Sequence, residues 1–172
     1  MRPTDREVVR LAFSQVGYKA PGPGKKNKYA AWIDSHYPSF YNGRKNIENC
    51  DWCDVFVDFC VLYVARNAKD AEYVLCQPAR SCGAGCKGSY QYYKSKHRNN
   101  SIPHYGDQIC LNVKKKDGSY KKCAHTGIVY KVDEKYVYYV AGNEGGGHGE
   151  VKKHKILKTS KSIYAFGRPR YK

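Results

Sequence analysis

Cys53 opens the segment WCDVFVDFC, His125 stands near the start of AHTGIVYKV 72 residues later, and Asn143 closes YVYYVAGN. Three side chains of these types in this order suit acyl transfer: a thiol nucleophile, an imidazole base, and an amide that fixes the imidazole. A thiol is only slightly ionised at neutral pH, and the thiolate is what attacks. A helix N-terminus favours the thiolate through its unpaired N–H groups and its macrodipole. That singles out Cys53 over Cys60, two turns further along the same segment. Asp54 and Asp58 oppose ionisation, so a cationic partner is required, and a protonated His125 supplies it. The same imidazolium can later protonate a leaving amine. Taken singly, a cysteine in an apolar segment is a small buried hydrophobe, and a histidine near the start of a strand is unremarkable. The pairing carries the reading.

Helices come first along the chain and strands second, which is the α+β pattern. Residues 4–16 carry apolar Val9, Ala12, Phe13 and Val16 at helical spacing, with Thr4 and Glu7 forming a capping box and Gly17 ending the helix. A loop spans 20–28, and a short helix runs through 29–37. Residues 53–66 are apolar almost all round, which places that helix at the centre of a domain, with Asp51 as its predicted N-cap. Residues 67–102 are the least readable, with a helix predicted through 89–97. From Gly106 the period changes to two. DQICLNV, AHTGIVYKV, KYVYYVAG, EVKKHKILK and SIYAFGRP read as about five antiparallel strands in a meander, with Asp117-Gly118 turning the first hairpin.

The chain has 172 residues, 41% of them hydrophobic and 17 of them tyrosine, which is too much apolar surface for a disordered chain. Without an internal repeat or a Pro/Ser-rich linker, one domain over 1–172 is expected. The net charge is +16, and it is unevenly spread. Residues 1–86 hold 12 basic and 9 acidic side chains, whereas residues 87–172 hold 19 and 6. A field of that sign attracts polyanions such as nucleic acid, anionic lipid or anionic wall polymers, although a lysine-rich surface can also be merely solvated. Asp5, Arg6, Glu7 and Arg10 stand where a signal peptide needs an apolar stretch. The expectation is a cytoplasmically made protein, or a domain of a larger one, that reaches the outside by another route. No apolar run is long enough to span a membrane. The eight cysteines are expected as thiols and mostly as small buried side chains. A zinc site drawing on Cys50, Cys76, Cys82 or Cys86 is the lesser reading, since no doubled CxxC pair supports it.

WCDVFVDFC followed by HTGIVYKV and VAGN resembles the CHAP family, the cysteine- and histidine-dependent amidohydrolases/peptidases of the papain-like superfamily. KYAAWIDSHYPSFYNGRKN, YGDQICLN and AFGRPRY extend the resemblance over nearly the whole chain. It implies a papain-like α+β fold in which N-terminal helices pack on a C-terminal antiparallel sheet. It also implies that Cys53 attacks an amide carbonyl of peptidoglycan to give a thioester, with His125 as base and backbone N–H groups at the helix start as an oxyanion hole. Asn143 matches the family's orienting Asn, but Ala141 stands where many members have Glu. The orienting role therefore falls to Asn143, the preferred reading, or to Glu144. Cys50 is a further departure that threatens Cys53 with a disulfide.

Trp52 reads either as a wall of the substrate groove or as core, and His148 as a solvated loop residue. Lys114, Lys115, Lys116, Lys121 and Lys122 read as a hairpin tip, with wall polyanions as the alternative. Asp51 and Asp54 are too few for calcium, so no metal or cofactor is expected. The expected partners are peptidoglycan and anionic wall polymers, met by a monomeric phage-type endolysin. The rivals are an antibacterial effector amidase and a non-enzymatic nucleic-acid-binding protein, the latter disfavoured for want of an RNA-binding motif.

Overall fold

Thr4 halts the chain in extended geometry; its hydroxyl accepts from the Glu7 amide at 3.2 Å while the Glu7 carboxylate accepts from the Thr4 amide at 2.8 Å. This reciprocal cap starts helix α1 (Asp5–Ser14), as the sequence predicts. The computed structural model describes residues 2–21, 26–42, 50–80, 85–145 and 149–172. Among them lie four more helices, α2 (Lys28–His36), α3 (Cys53–Ala65), α4 (Ala68–Val74) and α5 (Cys86–Ser95). Helix α4 is absent from the sequence reading because seven residues are too short to display a periodic stripe. Its start is nonetheless marked by Asn67, whose side chain accepts from the Asp70 amide.

The strands are β1 (Asn99–Asn100), β2 (Gln108–Lys114), β3 (Tyr120–Val132), β4 (Tyr136–Glu144), β5 (Glu150–Leu157) and β6 (Ile163–Gly167). They form one antiparallel sheet in the order β1-β6-β2-β3-β4-β5. The fold is α+β, with two corrections. The described sheet has six strands rather than five, the extra one being a two-residue edge. It is not a full meander, because β6 crosses back to pair with β2 instead of continuing beyond β5. Two-residue edges carry no readable pattern, and local spacing says nothing of a crossover.

Helix α3 is buried on nearly every side and packs between the other helices and the sheet. Val55, Phe56 and Val57 share one apolar cluster with Val8, Ile33, Ile128, Val140 and Val151. Losing one such side chain, as in Phe56→Ala, would cost about 3–5 kcal/mol. Alternate strand residues point to the other side of the sheet, where Ile109, Leu111, Val129, Tyr139, Ala141 and Phe166 form a second cluster. The β2–β3 hairpin turns at Gly118, φ +82°, with Asp117 accepting from the Ser119 amide at 2.9 Å. Lys114, Lys115, Lys116, Lys121 and Lys122 are exposed along it. Among the described residues no helix is long and apolar enough to cross a membrane.

Candidate active site

Cys53 is the first residue of α3, and its sulfur accepts a hydrogen bond from the Asp54 amide, one of the free donors at a helix start. The helix has no side-chain cap. Trp52 holds the N-cap position, and Asp51, predicted for it, instead accepts from Asn143 Nδ2 at 3.3 Å. Trp52 is fully buried against Tyr18 and Tyr29, so it belongs to the core and not to a groove. A cleft of about 560 Å³ opens at Cys53, lined also by Asp51, Cys86, Lys87, Lys121 and Cys123.

His125, on β3, interacts with the Cys53 thiol through its side chain and its charge. Its Nε2 lies 2.7 Å from Glu144 Oε1, so Nδ1 is the nitrogen left for the sulfur. The same Glu144 oxygen lies 3.1 Å from His154 Nε2 on β5. Glu144, the alternative to Asn143, is thus the residue in contact with the His125 ring, while Asn143 donates to Asp51. The reason is local. Leu111 pairs with His125, and Leu111, Tyr139 and Ala141 share a face, so regular alternation would bring Asn143 to that face as well. Between Ala141 and Glu144, however, β4 has one residue more than β5. The bulge reverses the alternation, and Asn143 absorbs it at φ +61°.

The electrostatics follow from these contacts. The Cys53 thiol is pulled down to about 5, first by the Cys86 S–H and then by the His125 bond and charge, against the opposing effect of burial. Burial works against a charged His125, but its bonds to Cys53 and Glu144 prevail and raise it to about 10. Glu144 drops to about 2, because His125 and His154 outweigh its burial. The pair at neutral pH is therefore a thiolate and an imidazolium. Cys86 stands with its sulfur 3.3 Å from that of Cys53, and this contact, followed by burial, keeps its own proton on. Cys60 is fully buried and pushed up by burial alone.

Asp54, expected merely to oppose the thiolate, has a structural task. Its buried carboxylate accepts from the Gly85 amide at 2.7 Å, Ser89 Oγ at 2.7 Å and Gln108 Nε2 at 2.8 Å. Those bonds tie the start of α5, and with it Cys86, to the start of α3. Burial, first, raises Asp54 to about 6. Asp58 is occupied elsewhere, accepting from Tyr41 Oη at 2.6 Å and Gln77 Nε2 at 2.8 Å.

Local pattern does not single out Cys86 or His154. The spacing of Cys82 and Cys86 suggests at most zinc, and His154 is one polar residue in a lysine-rich strand. Cys50 and Cys86 line the cleft, while Cys76 sits past α4 near Arg170 and Arg98. Cys82 and His148 lie outside the described residues. Among the described residues, no three His, Cys, Asp or Glu side chains stand together as metal ligands.

No protein-family model and no curated protein matches this chain. A solved structure described as the crystal structure of Ly7917 superimposes with a TM-score of 0.55 at 13% identity, over 96% of this chain and 62% of that one. At that identity the likeness concerns the fold alone. This chain spans less than two thirds of the length of that structure.

Proposed function

We propose that the chain is a papain-like cysteine hydrolase of CHAP type that cleaves an amide bond of bacterial peptidoglycan, as an N-acetylmuramoyl-L-alanine amidase or an endopeptidase, in the manner of a phage endolysin. The observation that carries it is the line Cys53–His125–Glu144, with Cys53 in the lining of a cleft. The thiolate adds to the scissile carbonyl carbon, and the resulting oxyanion meets backbone N–H groups at the start of α3. His125 Nδ1–H gives its proton to the leaving nitrogen as the C–N bond breaks, leaving a thioester. The neutral ring then takes a proton from water; the hydroxide adds to the thioester, and the C–S bond breaks to release a carboxylic acid, which gives its proton to solvent, and to restore the thiolate–imidazolium pair. Glu144 keeps Nε2–H aligned throughout, as the third member of such triads does. Peptidoglycan as substrate rests on the sequence resemblance and on the basic surface. An enzyme with this reading acts after release or delivery to the wall.

Digestion of purified walls by wild type and by Cys53→Ala, with mass spectrometry of the released fragments, tests the reading. New amine ends from wild type alone are expected, and their position identifies the bond. Equal products from both proteins would remove Cys53 as the nucleophile.

A further inference from the structure

A line of aromatic rings leaves the helix layer at Phe13 and crosses the sheet away from the cleft. Phe13 meets Tyr130 edge-on at 4.6 Å, Tyr130 lies 6.0 Å from Tyr138, and Tyr138 lies 6.2 Å from Tyr136. Exposed lysines sit over three of these rings. Lys153 is 5.6 Å from the centre of Phe13, and Lys131 is 4.9 Å from that of Tyr138. Tyr136 carries both Lys155 at 5.1 Å and Lys135 at 5.6 Å. At its Phe13 end the line enters a cavity of about 740 Å³ whose charged lining is Arg6, Arg10 and Asp5. Asp133 accepts from Tyr138 Oη and from the amides of Lys135 and Tyr136. Glu134 is the exposed acid beside it. His125 lies five residues back along β3, roughly 16 Å away at strand rise, so an occupant of this stripe leaves the cleft open.

We infer that this lysine-on-tyrosine stripe docks a chain of phosphodiesters joined by polyols, the chemistry of an anionic wall polymer. The choice against nucleic acid is physical. A single strand is held by bases stacked on bare ring faces, whereas here ammonium groups sit over three of the four rings. Cation–π contact holds each ammonium in place while its remaining N–H donors face solvent. The surface thus offers a row of fixed positive charges, which suits phosphates spaced along a flexible backbone. The wall as the source of the polymer rests on the proposed function; the phosphodiester chemistry does not.

The test is binding of purified poly(glycerol phosphate), free of peptidoglycan, to the Cys53→Ala protein at 0.1 M salt. Replacing Lys131, Lys135, Lys153 and Lys155 by Gln is expected to weaken binding about tenfold or more, the scale expected when four phosphate contacts are lost. An equal-charge control replaces Lys114, Lys115, Lys116 and Lys122 of the hairpin and should change binding much less. Equal losses in both variants would reduce the effect to net charge and overturn the inference. Tighter binding of a thymidine oligonucleotide with the same number of phosphates would make the stripe a nucleic-acid surface. Because no hydrolysis is read, failure here leaves the proposed reaction standing, and failure to cut walls leaves the stripe standing.

A second inference rests on the 3.3 Å between the Cys53 and Cys86 sulfurs. We infer that Cys86 is a resolving thiol, which converts an oxidised Cys53 into a reversible disulfide. The Cys53 thiolate attacks hydrogen peroxide, the O–O bond breaks, and sulfenic acid and hydroxide form. Cys86 gives its proton to the departing oxygen and attacks the Cys53 sulfur, the S–O bond breaks, and the disulfide and water result. The sequence alone offered Cys50 for this bond. Peroxide treatment followed by peptide mapping should link Cys53 to Cys86, with iodoacetamide labelling of Cys53 restored by dithiothreitol. In Cys86→Ser the sulfur should pass on to sulfinic acid and stay unlabelled. Linkage to Cys50, or full recovery of Cys86→Ser, would overturn the inference.

Discussion

Glu144 reaches the imidazole because β4 carries an extra residue opposite β5, so the chemistry at residue scale depends on one bulge. Glu144→Gln should lower the proposed hydrolysis on the order of 10²-fold by loosening the charged ring. It should also shift the pH at which Cys53 reacts with iodoacetamide upward from its expected inflection near about 5. Asn143→Gly, which tolerates the φ of +61°, should stay within about threefold of wild type. Equal losses in the two variants would return the orienting role to Asn143. The thiolate forms as pH rises through about 5 and the imidazolium is lost through about 10, so hydrolysis should follow a bell between those limits in a pH–rate profile. Folding holds the His125 proton more tightly than the unfolded chain does. Its contribution to stability is therefore full below the ordinary 6.5 and vanishes as pH rises through about 10, which urea unfolding at several pH values checks.

At the scale of elements, the site depends on how closely β4 approaches α3. A Cβ on Gly142 would stand 2.6 Å from Trp52 Cζ3 and 2.9 Å from Phe56 Cβ, so only glycine lets the strand carrying Glu144 lie against the helix carrying Cys53. Gly142→Ala should destabilise by about 1–3 kcal/mol in urea unfolding. It should also slow Cys53 alkylation more than Phe56→Val, which leaves the strand seated. α3 itself was legible in the sequence, because an unbroken apolar run can only be a central helix or strand and its length decided for helix. The start of α5 was not. The bonds that fix it, from the Gly85 amide and Ser89 Oγ, run to Asp54, 31 residues before Gly85, and Gln108 holds that carboxylate from the other side; no local pattern announces such partners.

For the whole molecule, the expectation of one domain has a direct measurement. Trp32 and Trp52 report on the helix layer, and the amides of β4 report on the sheet. Because Ile128, Val140 and Val151 share an apolar cluster with α3, both probes should give the same unfolding free energy in urea. Two separated transitions would divide the chain. The charge gathered in the sheet half also predicts that binding of the Cys53→Ala protein to intact walls weakens steeply with salt, and a salt-independent sedimentation assay would remove that role for the field.

Composition, period and capping residues determined the α+β class, the capping box of α1, the central helix and the strands from Gln108 onward, because each of those signals is local to its own segment. The sequence likewise put forward Cys53 and His125, since their surroundings, a helix start and a strand, are local too. Tertiary structure alone decided that Glu144 and not Asn143 faces the ring, that Trp52 is core, that β6 lies beside β2 and that Cys86 touches Cys53. Each of these depends on pairing or packing between segments distant in the chain, where a single extra residue in one strand reverses what alternation predicts.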